Sequence, residues 1–192
     1  MAAIQLLIGL GNPGPAYVST RHNVGQWLVE RFSEQEKLSF QTEPKLQAQV
    51  TRFEGADIDC RLCLPTSYMN DCGRAVQKLS HYFKVPPEAI LVVHDELDLP
   101  VGVTRYKMGG GHGGHNGLRS IIDHIGNTFG RLRIGIGHPG NKDDVSDYVL
   151  HAPSVSDRKT INDAIHNTLS SLKKALAGHM AAAMNELHTH NP

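Results

Sequence analysis

Two segments of the chain carry histidines that could take part in proton transfer, and one of them places a histidine next to a carboxylate. His94 and Asp95 end the apolar run AILVVHD (89–95), and His22 stands just before a segment with helical periodicity. An aspartate that accepts a hydrogen bond from an imidazole N–H fixes the tautomer of that ring and stabilises its charged form. Histidine in such a pair is suited to act as a general base near neutral pH. A solvated polar residue at a helix start is the simpler interpretation of His22, and the residues alone leave both open.

Three further turns each carry an asparagine. These are Asn12 in GLGNPG (9–14), Asn70 in PTSYMND (65–71) and Asn116 in GGGHGGHNG (109–117), which we call the glycine-rich segment. An amide can donate to a carbonyl, accept from an N–H and stabilise a developing oxyanion, so these residues could bind a peptide. For Asn70 and Asn116 capping of the following helix is the simpler interpretation.

The glycine patterns also match nucleotide-binding motifs in part. GLGNPG has the spacing GxGxxG, but Pro13 and Pro15 follow it and helical periodicity begins only near Asn23, so no helix N-terminus faces a pyrophosphate. The glycine-rich segment lacks the Lys-Ser or Lys-Thr of a phosphate-binding loop. Its glycines indicate instead that the backbone comes close to a bulky ligand.

A metal site is the remaining alternative for the histidines. His112 and His115 lie three residues apart in the glycine-rich segment, without a nearby thiolate. Together with His94 and with Asp95 or Asp98 they could form a metallohydrolase centre. Cys60 and Cys63 form a CxxC, but in an alternating strand they point to opposite faces. We therefore expect neither a metal nor any other cofactor.

The bulk composition indicates an ordinary intracellular protein. The 192 residues have zero formal net charge and 40% apolar residues, which suits a single domain over 1–192, with residues 187–192 frayed. Three cysteines argue against a secreted disulfide scaffold, and the N-terminus has no basic region or long apolar run. The expectation is a cytoplasmic protein without a membrane segment.

Hydrophobic periodicity predicts alternating strands and helices. Because strands 47–54 and 58–64 flank the turn EGAD as a hairpin, the sheet must contain antiparallel pairs. This predicts the α/β class, with a mixed sheet and helices on both faces. The other predicted strands are 4–10, 89–95, 103–107 and 131–137, and the predicted helices are 23–38, 71–84, 117–126 and about 156–186.

The turns taken together, in this order, resemble those of bacterial peptidyl-tRNA hydrolases. The resemblance spans residues 4–150, about three-quarters of the chain. It is carried by GLGNPG with Tyr17 and TRHN (9–23), PTSYMN (65–70), HDELDLP (94–100), GGGHGGHNGL (109–118) and RLRIGIGHPG (131–140), with a weaker match at DYVL (147–150).

The resemblance implies a metal-free, monomeric esterase that hydrolyses the ester between a peptide and the terminal ribose of tRNA, and so recycles tRNA during translation. By motif, His22 is the catalytic base and Asp95 its partner. Water attack rather than an acyl-enzyme is favoured, since no GxSxG pattern is present. The residues implied to bind the substrate, order the water or line the tRNA approach are Asn12, Tyr17, Met69, Asn70, His115 and Asn116.

Binding of tRNA requires contacts to phosphate, which basic side chains normally supply. Basic residues flank the glycine-rich segment, so a neutral chain can still carry a local positive patch. Lys107 and Arg133 are implied by the resemblance to grip the terminal phosphate, and Arg105 is a further candidate. Arg119 and Arg131 lie in the same region. Each of these could also be a solvated surface charge.

Overall fold

Seven strands form one mixed sheet in the order β2-β3-β4-β1-β5-β7-β6. The computed structural model describes the backbone of residues 3–190 and the side chains of residues 3–187. The strands are β1 (Leu6–Gly9), β2 (Gln41–Glu43), β3 (Ala48–Gly55), β4 (Ile58–Pro65), β5 (Ile90–Glu96), β6 (Thr104–Met108) and β7 (Gly130–Gly135). The helices are α1 (Val24–Gln35), α2 (Cys72–Phe83), α3 (Asn116–Ile125), α4 (Val145–Val149), α5 (Val155–Leu176) and α6 (Met180–His190). No described helix is long and apolar enough to cross a membrane.

Four neighbouring strands, β4, β1, β5 and β7, run parallel, so their carboxyl ends meet at one edge of the sheet. Asn12 and Asn70 lie in the turns after β1 and β4, and Asp95 is the second-to-last residue of β5. β6 is antiparallel to β7, and the glycine-rich segment that follows it therefore begins at the other edge. The segment has to return along the sheet before it can contribute to the same site.

Helices cover both faces of the sheet, which confirms the predicted architecture. Alternate residues of the central strands pack against α1, α5 and α6 on one side and against α2 and α3 on the other, because side chains of a strand alternate between faces. Cys60 and Cys63 lie in different clusters, as the strand alternation predicts, and both are buried thiols.

Helix α1 approaches the sheet closely at a glycine. A Cβ on Gly25 would come 2.2 Å from the carbonyl oxygen of Val93 in β5. Only glycine lets the helix begin at this distance. The close approach brings His22, in the 3-10 turn before α1, next to Asp95, two residues beyond Val93.

The C-terminal region differs from the prediction of one long helix over 156–186. Gly178 has φ of +89°, and the chain breaks there into α5 and α6. The periodicity of apolar residues continues across the break because Met180, Ala183 and Leu187 also pack into the core. Leu187 is buried within α6, which runs to His190, so the expected fraying does not include it; residues 191–192 lie outside the described part. The short elements β2 and α4 were not predicted.

Candidate active site

A cavity of about 830 Å³ opens at the carboxyl edge of the parallel strands. Every residue that the sequence assigned to catalysis or to substrate binding lines it: Asn12, Tyr17, His22, Met69, Asn70, Asp95, His115 and Asn116. The segments that supply them are separated by tens of residues in the chain. The cavity is therefore the place where the predicted residues could act together.

The carboxylate of Asp95 lies in the wall of this cavity. It is 3% exposed and accepts hydrogen bonds from two imidazoles. His22 Nδ1 lies 2.9 Å from Oδ1 and 3.0 Å from Oδ2, and His115 Nε2 lies 2.8 Å from Oδ1. A third imidazole, His94, stands edge-on to His115 with ring centroids 5.1 Å apart.

The hydrogen bonds decide which of the three imidazoles can accept a proton. His115 Nδ1 accepts from the backbone N–H groups of Gly117 and Leu118, so the proton of this ring is on Nε2 and is donated to Asp95. His94 Nδ1 donates to the carbonyl oxygen of Asp95 at 2.6 Å, and its Nε2 is buried. His22 donates from Nδ1 to Asp95, which leaves Nε2 as its free basic nitrogen. Only His22 combines a free nitrogen with a place in the cavity wall that is not sealed off.

The electrostatics favour the same residue. Burial works to lower the pKa of His22, but the charge of Asp95 and the hydrogen bond to it together raise it above the ordinary 6.5. Burial alone would raise the pKa of Asp95, yet the two adjacent imidazoles hold it well below its usual range. Burial and the neighbouring His115 lower the pKa of His94 to about 3, so that ring stays neutral. The pair His22–Asp95 is thus an ionised carboxylate beside a strengthened base.

Asn12 is held in one orientation by its neighbours. Its Oδ1 accepts from the backbone N–H of Met69 at 2.8 Å, which leaves the amide N–H groups free to donate. The side chain of Asn23 binds both backbone groups of Asn12, accepting from its N–H at 2.9 Å and donating to its carbonyl at 3.0 Å. Asn23 was not predicted as a site residue. It is the N-cap residue of α1, but its side chain makes no cap bond there.

The structure corrects the capping roles considered for Asn70 and Asn116. The N-cap of α2 is Asp71, without a side-chain cap bond, and Asn70 lies in the preceding 3-10 turn. The N-cap of α3 is His115, whose ring accepts from Gly117 and Leu118, and Asn116 is the first helical residue. Both amides are exposed on the cavity wall, and no protein group in the described part of the chain binds them.

Two further contacts at the cavity could not be read from the sequence. Tyr68, 57% exposed, stands edge-on to Tyr17 with centroids 6.1 Å apart. Arg21, which precedes His22, lies 3.9 Å from the ring centroid of Tyr148 and donates to the carbonyls of Tyr148, His151 and Ala152. These bonds of Arg21 connect the segment DYVL (147–150) to the site. Val149 of that segment lines the cavity.

The basic residues lie on strands β6 and β7. Arg105 pairs with Arg133 and Lys107 with Arg131, so all four side chains start from the same face of the sheet. Like charges directly opposite each other in a sheet are destabilising unless other groups balance them. Lys107 is exposed, whereas Arg133 is partly buried and lies 3.7 Å from Glu96. Arg131 is buried and donates to the glycine-rich segment, so it is not available to a phosphate on the surface.

The ring nitrogens of His22 and His115 and an oxygen of Asp95 lie within 4.8 Å of one another, close enough to hold a metal ion. These atoms are hydrogen-bonded directly to each other, and a metal would have to replace those bonds. Among the described residues, His94, His112 and Asp98 are not grouped with these atoms at ligand distance, so the metal set considered from the sequence is not assembled in this way.

Comparison with known proteins identifies the family of this chain. Residues 6–192 match the family described as peptidyl-tRNA hydrolase. A peptidyl-tRNA hydrolase of Acinetobacter baylyi is 46% identical over 192 residues, the whole of both chains. One of Legionella pneumophila (strain Corby) is 50% identical over 187 residues, 97% of this chain and 99% of the relative. The crystal structure of peptidyl-tRNA hydrolase from Acinetobacter baumannii is 46% identical, with a TM-score of 0.93 over 96% of this chain and 94% of that one. The resemblance seen in the motifs is confirmed, and the chain belongs to the peptidyl-tRNA hydrolase family.

Proposed function

We propose that the protein hydrolyses the ester bond of peptidyl-tRNA, releasing free tRNA and peptide, by attack of a water molecule that His22 deprotonates. One observation supports this above the others: among the three imidazoles around Asp95, only His22 has a basic nitrogen that is neither hydrogen-bonded nor fully buried. Asp95 keeps the other nitrogen of His22 protonated and stabilises the imidazolium that forms. The substrate is peptidyl-tRNA, an N-blocked aminoacyl-tRNA, and turnover returns tRNA to translation.

The amides would act on the substrate rather than on the base. Asn12 can donate from its amide because Met69 occupies its oxygen. Asn70 and Asn116 are exposed in the same cavity and can bind the peptide groups next to the ester. N–H groups aimed at the position of the developing oxyanion stabilise the transition state without changing their own protonation. Tyr17, Met69 and His115 complete the wall.

Water is the proposed nucleophile. No serine hydroxyl or thiol is hydrogen-bonded to His22 in the described part of the chain, and the pKa of the buried Cys72 thiol is raised to about 12 by desolvation. We also propose that no metal takes part, that the protein acts as a monomer, and that it works in the cytoplasm, where translation supplies its substrate.

The test of the proposed function is hydrolysis of an N-acylated aminoacyl-tRNA beside its unblocked counterpart, with and without a chelator. We expect the acylated substrate to react about 10- to 100-fold faster, because an α-ammonium group cannot make the hydrogen bonds of the first peptide group. We expect the chelator to change neither rate. A protein that binds tRNA but cleaves neither substrate would be a binding module only, and loss of activity with the chelator would favour a metallohydrolase.

For the tRNA itself, we propose that Lys107 and Arg133, with Arg105 nearby, contact phosphate. Lys107→Ala is expected to weaken tRNA binding and to reduce the slope of log Kd against log salt concentration by about one unit, because one phosphate contact is lost. Binding of uncharged tRNA over a range of salt concentrations measures this. Lys45→Ala is the matched control, since Lys45 is an exposed lysine near the opposite edge of the sheet. An unchanged slope for Lys107→Ala would remove that residue from the contacts.

A further inference from the structure

The glycine-rich segment begins far from Asp95, the residue that its His115 contacts. The last residue of β6, Met108, pairs with Gly130 at the beginning of β7. Asp95 pairs with Ile134, further along the same strand. At about 3.3 Å per residue, the segment has to return roughly 13 Å along the sheet before His115 can reach Asp95.

Arg131 contacts the segment on this path. The side chain is 2% exposed, and its two terminal nitrogens donate to the carbonyl oxygens of Gly110 and Gly111. The guanidinium also lies 5.0 Å from the ring centroid of Phe129. Both acceptors are backbone atoms of consecutive residues. A planar guanidinium binds two such acceptors at once, which the single ammonium of lysine does not do in a fixed geometry.

The backbone conformation of the glycine-rich segment has to be fixed by contacts to other residues. Gly109, Gly110, Gly113 and Gly114 all have positive φ. Glycine adopts that region readily, but a run of glycines has many other conformations open to it and loses more entropy on ordering than other residues. Two hydrogen bonds near the start of the segment remove much of that freedom. At its end, His115 donates to Asp95 and caps α3.

We propose that Arg131 is a positioning residue, which fixes the glycine-rich segment so that His115 holds Asp95 in place, and that Arg131 does not contact tRNA phosphate. This rests on the proposed function, because it takes the His22–Asp95 pair as catalytic. Arg131 thus differs from Lys107, its exposed partner in the strand register, although both are basic residues beside the same segment.

The variants Arg131→Lys and Arg131→Met test the proposal in two assays. We expect kcat on an N-acylated aminoacyl-tRNA to fall about 10- to 100-fold, since a small misplacement of catalytic groups has an effect of that size. We expect the salt dependence of tRNA binding to stay as in the wild type. Lys107→Ala should instead reduce the slope, and the control Lys45→Ala should leave both the slope and kcat as in the wild type. Lysine at position 131 would preserve a phosphate contact but not the paired bonds to two carbonyls.

Hydrogen exchange gives a direct structural measurement. The backbone N–H groups of Gly117 and Leu118 donate to His115, so their exchange should be faster in Arg131→Lys. Thermal unfolding is measured first, and Arg131→Lys, which retains the charge, is used alone if Arg131→Met does not fold. Wild-type kcat, unchanged exchange, or a salt slope reduced by about one unit would each overturn the proposal. His22→Ala distinguishes failure of the proposed function from failure of the positioning role. If His22→Ala remains active, the proposed mechanism is wrong. If His22→Ala is inactive but the Arg131 variants remain active, only the positioning role of Arg131 is wrong.

Discussion

Replacing His22 by alanine is expected to slow hydrolysis of peptidyl-tRNA by about 10²- to 10⁴-fold, the usual contribution of a general base. The effect should appear in kcat, because the amides that would bind the substrate are untouched. His22→Asn is the sharper variant. Its amide can still donate to Asp95 at the position of Nδ1, so the carboxylate keeps a partner, but it offers no basic nitrogen. Single-turnover hydrolysis of an N-acylated aminoacyl-tRNA measures both variants.

His166→Ala provides the control, since His166 is exposed on α5 and lies outside the cavity. We expect its rate to equal that of the wild type. A His22→Asn protein that hydrolyses the substrate at a wild-type rate would show that the base lies elsewhere.

The same residue should set the acid limb of the pH profile. The base must be neutral to accept a proton, so kcat/KM should fall as the pH drops through the pKa of His22, with a midpoint above 6.5 because Asp95 raises that pKa. The contribution of His22 to the free energy of unfolding should change with pH in the opposite direction. A group with a raised folded-state pKa contributes stability that is fully present below its unfolded-state pKa and is lost as the pH rises through the folded-state value. The difference in unfolding free energy between wild type and His22→Ala should therefore shrink as the pH rises above the ordinary histidine pKa of 6.5 and through the raised folded-state value.

Replacing Asp95 by asparagine is the second large effect, with an expected loss of about 10²- to 10⁴-fold in kcat. Asp95 accepts from N–H groups of both His22 and His115, and an asparagine has only one acceptor oxygen to offer. Its amide N–H groups would face an imidazole N–H, so one ring must change tautomer. If His22 changes, the proton moves to Nε2 and the base is lost. The acid limb of any residual activity should also shift to lower pH, because the charge that raises the pKa of His22 is gone.

Asp163→Asn is the control, because it is the same substitution at an exposed aspartate that forms an ion pair with Lys159 on α5. Rates and the pH profile are measured for both variants, with thermal unfolding to show that each is folded. An Asp95→Asn enzyme with wild-type kcat and an unshifted acid limb would contradict the proposed partnership with His22.

The sequence predicted the elements that carry the site because their signals are local. A buried strand followed by His-Asp, and asparagines in turns after strands, are visible in a few consecutive residues. Parallel strands then bring those turns to one edge without further information. The pairing of His22 with Asp95 was implied by the family resemblance rather than by these local signals, and it is present in the structure.

The unpredicted features depend on contacts between distant segments. Arg21 binds the carbonyl of Tyr148, 127 residues away, and nothing in TRHN indicates that partner. Asn23 and His115 both sit at helix starts, yet the asparagine turns away from its helix and the histidine caps instead. Capping preferences describe isolated helices, and here tertiary hydrogen bonds outweigh them. The break at Gly178 was missed because the apolar spacing continues on both sides of it.

The double use of His115 has an evolutionary consequence. In many enzymes stability and activity trade against each other, so a substitution that removes a functional side chain leaves the fold intact or more stable. Here one imidazole both begins helix α3 and orients the carboxylate beside the base. A mutation at this position would weaken the fold and the chemistry together. We therefore do not expect selection for greater thermostability to replace His115. Selection for a stable helix α3 would also preserve the proposed catalytic geometry.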